Sequence, residues 1–275
     1  HTRSTALPTG VATSPALTTM LTVWSSSSGR RRACSNVSNE WRTEPGEYAR
    51  SEIAKISDQP VRFLINTHWH GDHTGGNESL GGTGTVIVAH ENVRKRMSSD
   101  QVRALFDSVV PASPDASLPI ITFDSSVTFH LNGEDIRAMH VAHAHTDGDS
   151  IIHFPASNVI HAGDVTFIGQ YPFIDVDTGG SINGIISAVD AILVLCDDNT
   201  KIIPGHGPLS TPADLRPYRA MLVIMRDRIA AMIAEGKSLE EVLAAKPSAE
   251  YDEVQGKGFI NPENFVKEIY MDLSR

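Results

Sequence analysis

The chain has 275 residues, 40% of them hydrophobic, which is enough to build one large core. Its 33 acidic and 23 basic residues leave a formal net charge of −10, which disfavours a nucleic-acid partner, because phosphate recognition needs a basic surface. Two cysteines, Cys34 and Cys196, are too few for a disulfide framework or a cysteine-built zinc site, and no run is long and apolar enough to span a membrane.

Residues 1–44 are rich in Ser, Thr, Pro and Arg, and no helical or strand period holds there. Arg3 and the weak apolar run from Val11 to Trp24 do not compose a secretory leader, so no compartment is assigned, and a soluble, periplasmic or secreted protein is admitted. The stretch Val23-Trp24-Ser25-Ser26-Ser27-Ser28-Gly29 reads as a run of valines in a shifted frame if its serine codons are TCG or TCC. Two origins stay open, a frameshift upstream of about Arg50 and a natural irregular tail. Either way the segment is expected to form no regular strands, and the chain divides into residues 1–44 and 45–275.

Regular structure is expected from Tyr48 to Ile56 as a helix and from Val61 to Asn66 as a strand. That strand delivers Thr67-His68-Trp69-His70-Gly71-Asp72-His73. His68 and His70 are two apart, so on an extended chain their imidazoles leave on the same side and can converge on one ion. Gly71 lets the backbone turn. Asp72 and His73 then offer a carboxylate and an imidazole for a second ion beside the first. This nitrogen and oxygen mix suits a borderline ion such as zinc.

His-x-His-x-Asp-His directly after a strand resembles the signature of the metallo-β-lactamase superfamily, and the resemblance covers about Ile53 to the C-terminus. It implies an α/β (α+β) fold, a four-layer αββα sandwich with the metals at one edge of the two sheets. It also implies several strands before the motif, which residues 1–44 do not visibly supply.

Beyond the motif, Gly81 to Gly84 read as a loop, Thr85 to Ala89 as a strand and His90 to Met97 as a helix continuing through Asp107. Pro111, Pro114 and Pro119 punctuate a loop. Strands follow at Ile120–Phe123, Val127–Leu131 and Asp135–Val141, the last two joined by an Asn132-Gly133 hairpin turn. In His143-Ala144-His145-Thr146, the family's first-site histidine corresponds to His145; His143 stands two residues away as a substitute, and His140, like His90, is read as structural. Strands at Ser150–Phe154 and Val159–Ala162 lead to Gly163-Asp164, where the family places a carboxylate bridging both ions. Phe167 to Phe173 is unusually apolar for a loop, and Phe167, Ile168, Tyr171 and Phe173 are read as substrate-pocket walls, with Trp69 as a further one. Ser181 caps a helix to about Cys196, Lys201–Ile203 is a strand, and the family's last ligand falls on His206 in Gly205-His206-Gly207. The rest reads as helices over Pro212–Glu235, Leu239–Ala245 and Pro262–Leu273.

The resemblance thus implies His68, His70 and His145 on one ion, Asp72, His73 and His206 on the other, and Asp164 between them. Two Zn²⁺ are the expected cofactors, with manganese or iron also compatible. Such a pair brings a shared water towards hydroxide at ordinary pH for attack on a carbonyl, with Asp72 as the catalytic group that orients it. The cysteine-containing zinc β-lactamases carry Lys where Phe167 stands, and the acyl-homoserine lactonases carry Tyr there, so neither substrate assignment transfers. The expected activity is hydrolysis of an amide, ester or lactone in a small molecule, β-lactams included. Two rival classes are an iron-dependent redox enzyme of the same fold and a catalytically inactive member. No nucleic acid or membrane partner is expected, and no oligomeric state is assigned.

Overall fold

The computed structural model describes residues 44–275 and the two-residue strand β1 (Met20–Leu21). The other expectations for residues 1–43 lie outside the described residues. One is corrected: Met20–Leu21 is a strand, parallel to β2 (Phe63–Ile65), with Met20 opposite Phe63 and Leu21 opposite Leu64.

The first sheet has four parallel strands in the order β1, β2, β3 (Val86–His90) and β6 (Ile121–Phe123). Side chains alternate across it, as the two-residue period of a strand requires. Ile65 and Val88 face the second sheet, while Leu64 and Ile87 face outward onto Ala49 of α1 (Glu44–Ala54) and Leu80 of α3 (Asn77–Gly81). Ala89 also faces outward, with Val93 and Met97 of α4 (Glu91–Met97).

The second sheet has five strands in the order β11 (Lys201–His206), β10 (Val159–Phe167), β9 (Ser150–Phe154), β8 (Glu134–His140) and β7 (Ser126–Leu131). Its pairs are antiparallel except β10 with β11. Asn132 and Gly133 both have positive φ, 54° and 82°, as the tight turn between β7 and β8 demands. Phe129, Ile136, Ile152 and Val159 face the first sheet and close the inter-sheet core. Ile151 and Ile160 face the other way, onto α5 (Ile182–Leu195), α6 (Pro212–Ala234) and α9 (Pro262–Leu273). The result is the four-layer αββα sandwich.

The helices on that side follow from their sequence. Ser181 accepts a hydrogen bond from Gly184 N at the start of α5, and Ile182, Ile185, Val189 and Ile192 then recur at helical spacing on the buried face. Each such isoleucine contributes about 1.5–3 kcal/mol by leaving water. Asn261 caps α9 in the same way, accepting from Asn264 N, with Pro262 in the first turn.

Two expectations need correction. Helix α4 does not continue to Asp107: it stops at Met97, and Gln101–Arg103 (β4) pairs antiparallel with Ser108–Val110 (β5). Gln101 ends the helix by donating from Nε2 to Arg96 O and Ser99 O, and the valines beyond it favour an extended chain. Strand β10 runs to Phe167 rather than stopping at Ala162, with its register against β11 broken at Gly163. Gly163 has φ +53°, and a Cβ there would meet Thr67 Cβ at 2.8 Å, so this bulge requires glycine.

Candidate metal centre

The strand irregularities assemble one site at one edge of the two sheets. The segment after β2 supplies His68, His70, Asp72 and His73, the last two on the short helix α2 (Gly71–Thr74). The loop between β8 and β9 supplies His145, the bulge in β10 supplies Asp164, and the end of β11 supplies His206. Glycine at 205 is what lets β11 approach: a Cβ there would overlap Asp164 Oδ1.

The possible ligand atoms form two groups, each with all its atoms within 4.8 Å of one another. One holds His68, His70, His145 and Asp164, and is fully buried. The other holds Asp72, His73, Asp164 and His206; here His206 is 31% exposed and Asp72 45%, so the site opens to solvent on this side. Asp164 belongs to both. Its Oδ2 lies 3.7 Å from His68 Nε2, 3.6 Å from His145 Nε2 and 3.3 Å from His206 Nε2, and its Oδ1 lies 3.1 Å from His73 Nε2.

The site's charge balance follows from those contacts. Burial holds His68 well below the ordinary imidazole range and brings His145 down to about 4. Burial also opposes charge on His73 and His206, but Asp164 and Asp72 overcome it. They hold His73 well above its usual value and raise His206 to about 9. Against burial, His73 and its neighbours keep Asp72 and Asp164 well below the carboxylate range.

The donor set fits a pair of cations. His145 donates from Nδ1 to Phe173 O at 2.7 Å, and His70 donates from Nε2 to the Asp175 carboxylate at 2.8 Å. Both imidazoles are thereby fixed in the tautomer that turns a lone pair inward. His68 Nε2, His73 Nε2 and Asp164 Oδ1 are buried without an aligned hydrogen bond. Buried polar atoms of this kind need a partner, and an ion between them supplies it.

The expected pocket walls are dispersed. Phe167 stacks on His206, with ring centroids 4.9 Å apart, and with Ile168 it lines a cleft of about 360 Å³ that also reaches Tyr218, Met221 and Tyr251. Phe173 stacks on His70 at 5.6 Å and is itself buried. Trp69 and Tyr171 do not line the site. Trp69 is buried with Ala89, Val93 and Met97, meets the His70 ring edge-on at 4.5 Å and donates to Thr178 Oγ1. Tyr171 is fully buried, stacked on Phe265, with its hydroxyl donating to Asp252.

His90, His140 and His143 stand outside both groups. His90 caps α4, accepting from Asn92 N; His140 stacks on it at 3.7 Å; His143, at φ 49°, hydrogen-bonds Gly179 O. Sequence reasoning passed over Asp175, whose only signal was a lone carboxylate in an apolar loop. It also passed over Arg103, placed by the β4–β5 ribbon with its guanidinium 5.4 Å from the Phe173 ring.

Comparison with known proteins accords with this geometry. The model of the metallo-beta-lactamase superfamily matches residues 42–227. A hydroxyacylglutathione hydrolase from Polaromonas sp. is 22% identical over 63% of this chain and 59% of its own length, so the chain spans less than two thirds of that relative. Among solved structures, a metallo-beta-lactamase from Pontibacter korlensis has a TM-score of 0.52 at 19% identity, covering 66% of this chain and 79% of its own. A stereoselective inverting sec-alkylsulfatase from Pseudomonas sp. has a TM-score of 0.58 at 16% identity, covering 82% of this chain and 44% of its own.

Proposed function

The chain belongs to the metallo-β-lactamase superfamily, and from that premise we propose that it is a dinuclear zinc hydrolase of small acyl compounds: amides, esters or lactones. The observation that carries this reading is the pair of ligand-atom groups sharing Asp164, with three of their atoms buried and lacking an aligned hydrogen bond. His68, His70 and His145 would hold one ion, Asp72, His73 and His206 the other, and Asp164 would touch both. When bound, the ions acidify a water and polarise the acyl oxygen.

The chain's own residues do the rest. Asp72 stands at the open side, its carboxylate kept ionised by His73 and its neighbours. It accepts one proton from the attacking water as the water oxygen bonds to the acyl carbon. It then returns that proton to the oxygen or nitrogen that leaves. Asp175 and the Phe173 carbonyl keep His70 and His145 correctly turned throughout. Phe167 and Ile168 present an apolar flank to the part of the substrate lying in the cleft beside His206. The cleft's size is within the range of small-molecule sites.

A panel of aryl esters, lactones, β-lactams, alkyl sulfates and phosphodiesters, run with zinc, manganese and iron, tests the reading. Zinc-dependent turnover of an acyl substrate that is lost in Asp72→Ala is expected. Oxygen consumption with iron, and no hydrolysis with any metal, would replace the hydrolase by a redox enzyme.

A further inference from the structure

The β4–β5 ribbon brings an arginine to the flank of the first ligand group. Arg103 lies with its guanidinium carbon 4.5 Å from the Phe106 ring and 5.4 Å from the Phe173 ring. Phe173 in turn stacks on His70 and meets His145 edge-on at 5.5 Å. The cation is therefore one aromatic ring removed from two of the site's imidazoles. Phe259, 65% exposed, completes the cluster at 5.3 Å from Phe106 and 6.4 Å from Phe173.

The Arg103 side chain makes no ion pair or hydrogen bond among the described residues, and its Nε is buried without an acceptor. Carboxyls are close by, for Asp175, Asp177 and Glu268 line the same cavity. Each is engaged elsewhere. Asp175 accepts from His70, Asp177 accepts from Ala104 N at 2.7 Å and so ties the ribbon down, and Glu268 accepts from Ile174 N. Burial also holds Glu268 well above the carboxylate range. A planar, permanently charged fork stacked on aromatic rings and left without an anion has the form of a carboxylate receptor.

We propose that Arg103 anchors a carboxylate carried by the substrate, remote from the bond that is cut, while Phe106 and Phe259 pack its apolar body. The proposal rests on the acyl-hydrolase reading and narrows it to amphiphilic acyl compounds bearing one carboxylate.

Two measurements separate the subsite from the reaction. The first compares 4-nitrophenyl hemiglutarate with 4-nitrophenyl valerate on the zinc-loaded enzyme. Arg103→Met should raise KM for the hemiglutarate by roughly tenfold to a hundredfold and leave the valerate within about twofold, with Arg103→Lys between. The second is calorimetric binding of glutaric acid monoanilide and of valeranilide to the metal-free protein. The charged anilide should bind the wild type tighter by a similar factor, the advantage should shrink with salt, and it should vanish in Arg103→Met. Equal affinity of the wild type for the two anilides, or equal damage by Arg103→Met to both esters, overturns the subsite. Discrimination between the anilides without turnover of either ester leaves the subsite standing and removes the acyl-hydrolase reading. Turnover of both esters without discrimination does the reverse.

Discussion

Nδ1 of His70 and Nε2 of His145 face each other across 2.9 Å, although their other ring nitrogens donate to Asp175 and to the Phe173 carbonyl. Two lone pairs in that relation repel unless a positive charge lies between them. An ion held by the first ligand group would supply that charge.

Metal uptake should release protons, because His206, raised to about 9, and His73, held well above its usual value, carry protons at neutral pH when no ion is bound. Calorimetric titration of the metal-free protein with zinc, repeated in buffers of different ionisation enthalpy, should show net proton release at pH 7 and an apparent affinity that rises towards pH 9. The sign for stability follows from linkage. A histidine with a raised folded-state pKa contributes stability that is complete below about 6.5 and is lost as pH rises through its folded value. The metal-free protein should lose melting temperature between about pH 6.5 and 9, and the zinc-loaded protein should not. Uptake without proton release at pH 7 contradicts the assignment.

Elemental analysis should find two zinc ions per chain, since the site offers two complete groups of ligand atoms. Asp72→Ala and His145→Ala should abolish hydrolysis, whereas His90→Ala and His153→Ala, outside both groups, should retain it. Asp175→Asn should keep the fold but weaken zinc binding about tenfold to a hundredfold, because it frees the His70 ring. Equal losses in all these variants, with folding intact, would show that the assignment is wrong.

The layers were legible because the apolar residues of β2, β3, β9 and β10 mark short strands bounded by turn residues. The residues of the two candidate groups were legible because their motifs are dense. What escaped depended on tertiary contacts. Gln101 ends α4 through its side chain, which turned an expected helical continuation into a ribbon and placed Arg103 above Phe173. Trp69 reads as a pocket wall by sequence proximity, yet it is buried with Ala89, Val93 and Met97, its ring edge-on to His70 from the core side. In sequence 167–173 reads as one apolar wall, but only Phe167 and Ile168 of it line the cleft, while Tyr171 packs on Phe265.

Gly205→Ala should disturb the site and the strand that carries it. The added methyl has no strain from φ, but it would overlap Asp164 Oδ1 and stand 2.7 Å from Gly163 C and 2.8 Å from Asp164 N of the neighbouring strand. Because Asp164 belongs to both groups, its displacement should lower zinc content and cut kcat/KM by about a hundredfold or more. The melting temperature of the metal-free variant should fall as well, since the β10 backbone must move to admit the methyl. Full zinc content with wild-type turnover would show that Asp164 tolerates the shift.

Glu268 is buried, with Oε2 accepting from Ile174 N at 3.0 Å and Oε1 without a partner. Burial, aided by Asp175, holds its carboxyl well above the ordinary range. The unfolded chain releases this proton near pH 4.3 and the folded chain only at higher pH, so the group destabilises the fold progressively as pH rises between those values. Glu268→Gln keeps the shape and the acceptor for Ile174 N and removes the titration. Its melting temperature should match the wild type near pH 4.5 and exceed it at pH 8. A variant less stable than the wild type at pH 8 refutes the neutral carboxyl.

Acyl substrates should be preferred to phosphodiesters by about a hundredfold in kcat/KM under the same zinc loading. Attack on a phosphodiester builds extra negative charge on the phosphoryl oxygens, and stabilising it calls for cations touching those oxygens. The flank nearest the open ligand group offers Phe167 and Ile168 instead. Arg103 is the cation brought to the other flank, and the Phe173 ring stands between it and His70, so it is placed to meet a remote carboxylate rather than the reacting centre. The net charge of −10 adds repulsion towards polyanions at low salt. The ions themselves attract any anion, so the preference is one of degree. It is measured by comparing bis(4-nitrophenyl) phosphate with a 4-nitrophenyl ester, a lactone and a β-lactam. A phosphodiester cleaved faster than every acyl substrate would overturn it.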